Sequence, residues 1–346
     1  MEYRVFGRTG VKVSPIALGT GSFGYRLSEE ESKRMLSRAM DAGINILDTG
    51  DNYEEGEGET IIGRALAESG RRHEIIIVTK VDHGMRKVAP GPNEIGHSKL
   101  NIIRACEASL RRLKTDYIDV YELHRPSPTI PIDEPLGALT DLVRQGKVRY
   151  IGSSTFAAWM VMEALMVSEL KGYPRFVSEE PPYNLLDRRI ENELIPLCQK
   201  YGIAIIPWSP IALGVLAGRY QSADPKDFPP DSHAALGGEY YLDRVSVQGV
   251  EAGKKFVRLA QEYGILPAHL ALLWVKDQPG ITAPLIGPRS IKQLEDILPV
   301  MEMELDESIR AACDEIVPPG GFVANFHNTS GWMKGRKEFA YTKVMP

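Results

Sequence analysis

The feature that most constrains the fold is an alternation, along the whole chain, of short apolar runs with helix-like stretches. This pattern predicts βα units that build a parallel sheet, because helical crossovers join parallel strands. Eight such units close a barrel, so the sequence predicts an α/β fold of the (β/α)8 TIM-barrel class. The eight apolar runs are Ile16 to Leu18, Ile44 to Leu47, Ile75 to Val78, Tyr117 to Leu123, Val148 to Ile151, Phe176 to Val177, Ile203 to Ile206 and Pro284 to Ile286.

The segments between most of the apolar runs have the spacing of amphipathic helices. In Lys99–Leu113, the residues Leu100, Ile103, Cys106 and Leu110 recur at helical intervals. We therefore predict a helix over this segment with that face buried.

The domain organisation is predicted to be simple. No segment rich in Pro, Gly or Ser divides the 346 residues, so we predict a single domain, residues 1–346. Residues 15–317 form the predicted barrel, and residues 1–14 a predicted β-hairpin across its bottom. Residues 318–346 form a C-terminal tail, either a lid over the site or packing. The insertion from Gly218 to Arg244 is predicted to be an ordered functional loop.

Charge and composition narrow the range of partners. The net charge of −5, without long runs of one sign, argues against nucleic acid and anionic membranes as partners. No apolar run approaches the roughly 20 residues that span a bilayer, and the first residues lack the apolar region of a signal peptide. Three cysteines without a CxxC pair argue against a disulfide framework or a metal site. We expect a cytoplasmic protein that acts on a small molecule; a homo-oligomer is compatible with the sequence.

One motif competes with the barrel prediction. Gly19 to Gly24 matches GxGxxG after a strand, and Asp48 follows where a Rossmann fold places its ribose-binding acid. In that fold the helix opens directly at the glycines and binds the pyrophosphate. Here Ser28 and Glu31 form a predicted capping box, and the glutamates at 29–31 would repel a phosphate. We favour a glycine-rich loop on the barrel rim.

Four titratable side chains follow neighbouring predicted strands. Asp48 ends the second strand with Tyr53 in the following loop, Lys80 ends the third and His124 the fourth. Catalytic groups of such barrels lie at the carboxyl ends of the strands, so these four are predicted to share one rim. Taken singly, each is more often structural than functional.

Together the four residue types fit the reduction of a carbonyl group. Hydride transfer leaves negative charge on the carbonyl oxygen, which then needs a proton, and Tyr53 can donate it. An ammonium group, Lys80, stabilises the phenolate, and the carboxylate of Asp48 holds that ammonium in place. His124 can orient the carbonyl with either tautomer. Carbonyl reduction follows as a hypothesis.

At these positions the sequence resembles the aldo-keto reductase family, up to about Val317. The family tetrad of Asp, Tyr, Lys and His is complete in Asp48, Tyr53, Lys80 and His124, which implies NAD(P)H-dependent reduction with Tyr53 as general acid. The segments that carry the resemblance are LDTGDNY at 47–53, SLRRLKTDYID at 109–119, LHRP at 123–126, GKVRYIG at 146–152 and WSP at 208–210.

The resemblance also implies a cofactor site at the later strand ends. It implies that Ser154 and Thr155 hold the nicotinamide carboxamide, that Trp208 stacks on the ring and that the loop after it covers the pyrophosphate. Arg289 is the candidate for the 2′-phosphate, because a guanidinium can fork onto phosphate oxygens, so NADP(H) is favoured over NAD(H). The implied cofactor residues are Thr20, Ser154, Thr155, Glu180, Trp208, Ser209, Pro210, Leu213, Gly287, Arg289, Gln293 and Asp296.

The chain departs from the family pattern at three positions. Thr155 stands where the family usually has Asn, and Ile297 replaces a common Asn near the adenine. Glu180 stands where the family usually has Gln; an ionised carboxylate can accept a hydrogen bond from the carboxamide but cannot donate one, unless burial raises its pKa. These changes retune cofactor binding and leave the tetrad intact.

The substrate is less well defined by the sequence. Candidate pocket walls are Phe23, Tyr25, the Gly218 to Arg244 insertion and the aromatic residues of the tail, and they suit a neutral or aromatic carbonyl compound or a sugar. Three functions stay open: a reductase of aldehydes or ketones, an alcohol dehydrogenase working in the reverse direction, and a cofactor-binding regulatory subunit, since some relatives of the family serve as channel β-subunits.

Overall fold

A computed structural model describes residues 2–81, 91, 93–127, 129–237 and 239–327. Two antiparallel strands, β1 (Arg4–Val5) and β2 (Lys12–Val13), form a hairpin. Eight parallel strands follow: β3 (Ala17–Gly19), β4 (Ile46–Asp48), β5 (Ile76–Val81), β6 (Ile118–Leu123), β7 (Val148–Ser154), β8 (Phe176–Glu180), β9 (Ala204–Ile205) and β10 (Leu285–Ile286). Their spatial order in the sheet is β10-β3-β4-β5-β6-β7-β8-β9.

The first and last strands of that order are joined by hydrogen bonds. The N–H of Thr282 donates to the carbonyl of Ile205 at 2.9 Å, and the N–H of Leu285 to the carbonyl of Pro207 at 2.8 Å. These bonds bring β10 beside β9 and close the sheet on itself. The predicted (β/α)8 barrel is confirmed, and the Rossmann alternative is excluded because an open doubly wound sheet has no such closure.

Helices connect the strands. They are α1 (Glu29–Asp41), α2 (Glu57–Ser69), α3 (Lys99–Leu113), α4 (Asp133–Arg144), α5 (Ala158–Lys171), α6 (Leu194–Tyr201), α7 (His233–Gly237), α8 (Glu239–Leu242), α9 (Val247–Glu262), α10 (Pro267–Lys276), α11 (Ile291–Ile297) and α12 (Glu307–Ile316). The predicted capping box at the start of α1 is present, since Ser28 and Glu31 exchange side-chain to backbone hydrogen bonds. Among the described residues, no helix is long and apolar enough to cross a membrane.

The prediction for α3 was correct in its bounds and largely correct in its buried face. Cys106 is fully buried, and Ile103 and Leu110 pack partly buried against the core, but Leu100 is 46% exposed. Asn101 is buried in addition, and its side-chain amide donates to the carbonyl of Gly96 at 2.8 Å. Hydrophobic spacing alone missed Asn101 because it counts a polar residue as exposed.

The hairpin closes the bottom of the barrel, as predicted. Phe6 and Val13 are fully buried against an apolar layer from the strands. The strand residues of this layer are Ala17, Ile46, Val78, Val120, Val177, Ala204, Ile206, Ala283 and Leu285. The barrel therefore has a solid apolar floor. The domain bounds 1–14, 15–317 and 318–346 stay a prediction.

The insertion from Gly218 to Arg244 packs through apolar side chains. Tyr220 and Phe228 are buried, and their rings meet edge to face with centroids 5.3 Å apart. α7 and α8 lie within it, which agrees with the prediction of an ordered segment.

A matched pair of glycines tests the helix packing. Gly63 of α2 lies against the end of α3, where an added Cβ would be 2.6 Å from the Leu113 carbonyl carbon; Gly137 of α4 has only the Tyr173 hydroxyl at 3.6 Å. We expect Gly63→Ala to lower the free energy of unfolding by about 1–3 kcal/mol because of overpacking. Gly137→Ala should raise it by up to about 1 kcal/mol through helix propensity. Urea denaturation measures both; equal effects would contradict the close α2–α3 contact.

Candidate active site

A polar layer lies directly above the apolar floor of the barrel. Side chains alternate along a strand, so Asp48 of β4 and Lys80 of β5 point inward one step above Ile46 and Val78. Both charged side chains are almost completely buried. The ends of β4 and β5 therefore place charged groups inside the barrel, directly above the apolar layer.

The ammonium of Lys80 is the centre of this layer, and it is only 1% exposed. It forms an ion pair with Asp48. It donates to the carbonyl oxygen of Thr49 at 2.9 Å, and Nζ lies 3.1 Å from Oε2 of Glu180. An ammonium has three N–H groups, and here each faces an oxygen acceptor. Glu180 thus joins the tetrad lysine directly.

The loop after β4 positions Tyr53 through a buried ion pair. Glu59, which is fully buried, accepts from the Thr79 hydroxyl at 2.6 Å and from Nε of Arg112 at 2.7 Å. Gly56 is held at φ 92° beside the Arg112 guanidinium, where a Cβ would clash at 2.7 Å. This anchoring fixes the start of α2 and, with it, the loop that carries Tyr53.

Tyr53 and His124 lie on the same rim as Lys80. The rings of Tyr53 and His124 meet edge to face with centroids 6.1 Å apart. Lys80 Nζ lies 5.8 Å from the centre of the Tyr53 ring. The structure thus brings all four predicted catalytic residues together. Their roles stay predictions.

The acidity of Tyr53 differs from our expectation. We expected Lys80 to stabilise the phenolate, but burial and the negative charge of Glu180 raise the pKa of Tyr53, with Arg125 opposing. Two carboxylates already face the Lys80 ammonium, so its positive charge is largely balanced. Tyr53 is therefore held in its protonated form, which is the form a proton donor needs.

Two further buried glutamates were missed by the sequence reasoning. Glu122 of β6 accepts from the Ser178 hydroxyl at 2.5 Å, and burial raises its pKa well above the usual range. Glu179 of β8 accepts a hydrogen bond from Ser153 and another from the N–H of Phe156 at 2.9 Å. The signal was available for Glu122, because a period of two places it inward one step before His124.

The residues assigned to the nicotinamide end lie together. The Ser154 hydroxyl donates to the carbonyl of Glu180 at 3.0 Å, and the N–H of Thr155 reaches the same carbonyl at 3.1 Å. Thr155 has φ 61°, which is unfavourable for a β-branched residue and marks a strained position. Oε1 of Glu180 is buried without a hydrogen-bond partner. A carboxamide N–H would satisfy this oxygen, so the residues fit the predicted group.

Trp208 is half-buried between two guanidinium groups. Arg125 lies 5.7 Å and Arg244 lies 5.2 Å from the centre of its ring, within the range of cation–π contacts. Arg125 also donates to the Ser154 hydroxyl at 3.0 Å. The sequence reasoning assigned no role to Arg125, although it directly follows His124, and it included Arg244 only as the last residue of the insertion.

The loop after Trp208 has a tightly turned backbone. Ser209 and Leu213 both have φ 58°, and the Asn184 amide donates to the Ser209 carbonyl at 3.1 Å. Pro210 is buried, whereas Ser209 and Leu213 are half-buried. The loop is thus positioned beside the indole, as the resemblance implies.

The resemblance implies that Gly287, Arg289, Gln293 and Asp296 hold the adenosine end of the cofactor, and these residues lie in the loop after β10 and along α11. The N–H of Arg289 donates to the side chain of Gln293 at 2.8 Å, while Gly287 and Asp296 are exposed. Thr20, in contrast, is fully buried and donates its hydroxyl to the carbonyl of Asp48 at 2.8 Å. Thr20 therefore lies beside the tetrad and not with the α11 group.

Asp231 of the insertion connects three arginines across the top of the barrel. Its carbonyl accepts from Arg26 at 2.9 Å and from Arg289 at 3.1 Å. Its carboxylate forms an ion pair with Arg219 at 2.7 Å. The insertion thus links the loop after β3 to the loop after β10.

The candidate pocket walls are distributed differently from the prediction. Phe23 is 1% exposed and packs in the core, whereas Tyr25 is exposed at the rim. In the tail, Phe326 is fully buried with its ring 5.7 Å from the Arg244 guanidinium, and Phe322 is exposed. Trp332 and Phe339, also predicted as tail aromatics, lie outside the described residues.

Comparison with known proteins agrees with this geometry. The profile of the Aldo/keto reductase family matches residues 15–318. The chain belongs to that family.

Several relatives align with this chain over nearly their whole length. The uncharacterized oxidoreductase YrpG of Bacillus subtilis is 37% identical, covering 93% of this chain and 98% of its own. A probable voltage-gated potassium channel subunit beta of Oryza sativa is 32% identical, covering 90% and 96%. The versiconal hemiacetal acetate reductase of Aspergillus parasiticus is 32% identical, covering 92% and 98%. This aldo-keto reductase is an NAD(P)H-dependent oxidoreductase that acts on carbonyl groups.

The buried Glu179 of this aldo-keto reductase predicts a pH-dependent stability. Burial raises the pKa of Glu179 from 4.5 to about 8. The folded state thus binds this proton more tightly, so the stabilisation is complete below pH 4.5 and is lost as the pH rises through about 8. Relative to Glu179→Gln, the wild type should lose up to about 1.4 kcal/mol of unfolding free energy per pH unit in that window.

Urea denaturation between pH 5 and pH 8 measures this difference. Glu169→Gln, on the exposed face of α5, serves as the control and should follow the wild type. A difference between wild type and Glu179→Gln that does not change with pH would contradict the buried, protonated carboxyl.

Proposed function

We propose that this aldo-keto reductase uses NADPH to reduce an aldehyde or ketone to the alcohol, with Tyr53 as the general acid. The observation that carries the proposal is the buried Lys80–Asp48 ion pair with the rings of Tyr53 and His124 on the same rim, 6.1 Å apart. The cofactor would supply the hydride. Ser154, Thr155, Glu180 and Trp208 would hold its nicotinamide end.

The side chains of the protein would donate the proton, stabilise the developing charge and orient the carbonyl. Tyr53 Oη gives its proton to the carbonyl oxygen as negative charge develops there. Its raised pKa keeps that proton in place until the charge appears. Lys80 is held by Asp48 and Glu180 at 5.8 Å from the centre of the Tyr53 ring. The part of its charge that the two carboxylates leave unbalanced would stabilise the phenolate as it forms, without any rearrangement. His124 would orient the carbonyl.

A regulatory subunit with little turnover is the second candidate. It is favoured by relatives named as probable voltage-gated potassium channel subunits beta, 32% and 33% identical over most of this chain. A complete tetrad is compatible with both functions. An alcohol dehydrogenase acting in the reverse direction would use the same residues. A cytoplasmic location and the single-domain bounds also remain proposals.

Replacing Tyr53 tests the reductase. We expect Tyr53→Phe to lower the rate of NADPH oxidation by at least about 100-fold, because the general acid is lost. NADPH binding, followed by fluorescence, should persist. The substrates are a panel of aldehydes, ketones and keto-sugars, and Tyr25→Phe, an exposed rim tyrosine, is the matched control.

Two outcomes would contradict the proposal. Undiminished turnover by Tyr53→Phe would remove Tyr53 as the proton donor. A wild type that binds NADPH tightly and reduces no carbonyl of the panel would move the regulatory subunit to first place.

Replacing Arg289 tests the preference for NADPH. Arg289 is half-buried and its guanidinium donates to the Asp231 carbonyl. We expect Arg289→Ala to weaken NADPH binding by about 10- to 100-fold and NADH binding little, because only NADPH carries the 2′-phosphate. Arg38→Ala removes an arginine paired with Glu295 of α11 and serves as the control. Equal losses for both cofactors would refute the assignment.

A further inference from the structure

Glu180 lies where the polar layer around Lys80 meets the residues assigned to the nicotinamide end of the cofactor. Its Oε2 is 3.1 Å from Lys80 Nζ. Its backbone carbonyl accepts from Ser154 and Thr155, and the next residues pair with Trp208 through a bridge at Pro182. Its Oε1 is buried without a hydrogen-bond partner. One carboxylate oxygen is thus bound to the tetrad, and the other remains for a ligand.

Glu180 also determines the charge balance of the layer. Asp48 and Glu180 are faced by two cations, Lys80 and Arg125, and all four side chains are at least nine-tenths buried. Burial raises the pKa of both Glu122 and Glu180, but the ammonium of Lys80 and the guanidinium of Arg125 oppose the rise for Glu180 and so favour its ionised form. Removing the carboxylate of Glu180 would make the cluster more positive by one charge, and Arg244, also buried and 5.2 Å from the Trp208 ring, adds a further positive charge nearby. Such a charge is weakly screened at a buried site.

A positive charge beside the nicotinamide changes the binding of the oxidised and the reduced cofactor differently. Reduction of the substrate moves a hydride to the carbonyl carbon and a proton from Tyr53 Oη to the carbonyl oxygen. In the oxidised form of such a cofactor the nicotinamide ring would carry one positive charge, and in the reduced form it would be neutral. An unbalanced positive cluster therefore disfavours the oxidised form, and a carboxylate next to the ring favours it.

We propose that Glu180 is a positioning and specificity-determining residue that makes the nicotinamide site favour the oxidised over the reduced cofactor. This inference rests on the proposed function, which puts the nicotinamide beside Ser154 and Trp208. Preferential binding of the oxidised form drives hydride transfer toward the carbonyl substrate. Glu180 would thus favour reduction through the cofactor and not through the substrate.

The test compares binding of the two cofactor forms without turnover. Quenching of tryptophan fluorescence gives Kd for NADP⁺ and for NADPH at pH 7, where Glu179, with its pKa of about 8, stays mostly protonated, so that Glu179→Gln removes little charge. The variants are Glu180→Gln, which removes the charge, and Glu180→Asp, which keeps it. Glu179→Gln is the matched control, because Glu179 is also buried on β8 but is bound by Ser153 and Phe156.

We expect the ratio of Kd for NADP⁺ to Kd for NADPH to rise about tenfold in Glu180→Gln. The ratio should stay near the wild-type value in Glu180→Asp and in Glu179→Gln. Arg125→Gln removes a positive charge from the same cluster and should lower the ratio. That variant keeps the inference testable if Glu180→Gln does not fold, as judged by its thermal melting.

The outcomes separate this inference from the proposed function. A wild type that binds neither cofactor form would refute the proposed function itself. Binding of both forms, with a ratio unchanged in Glu180→Gln or in Arg125→Gln, would overturn only the role of Glu180. A tenfold weakening of both forms by Glu180→Gln, at constant ratio, would show a role in carboxamide contact and would also overturn the charge effect.

Discussion

An ammonium group buried in the middle of a barrel is costly unless oxygen acceptors replace the water that it loses. Lys80 meets that condition with Asp48, the carbonyl of Thr49 and Glu180. Lys80 and its acceptors come from three separate segments, the strand β5, the end of β4 and the end of β8, so the ion cluster forms only when these strands have the right register. The chemistry of the rim, including the protonated Tyr53, depends on this one charge and its counter-ions.

Much of the fold could be predicted from the sequence because its signals are local. Each short apolar run overlaps a strand, and the strand ends place the tetrad on one rim. The burial of Asn101 on α3 could not be predicted, because this residue is satisfied by a carbonyl that the sequence does not reveal. The high pKa of Tyr53 also escaped prediction, since it depends first on burial in the folded barrel and then on Glu180, which is 127 positions away along the chain.

The upper rim is held together by a second set of charges, distinct from the buried cluster. Asp231 is exposed and gathers Arg26, Arg219 and Arg289 from separate loops. Exposed ion pairs contribute little to stability, so this arrangement serves mainly to position the insertion. The sequence predicted an ordered insertion but not its partners, because the arginines lie in distant loops.

The hairpin beneath the barrel has a consequence for the movement of protons. Phe6 and Val13 close the lower end with fully buried apolar side chains, and such an apolar layer has no polar groups to which a chain of water molecules could bind. If Tyr53 acts as proposed, the proton that restores it would arrive from the loop side, where substrate and product would also pass. Supply of the proton and exchange of ligands would then share one entrance, and a ligand bound there would delay recovery of the proposed donor.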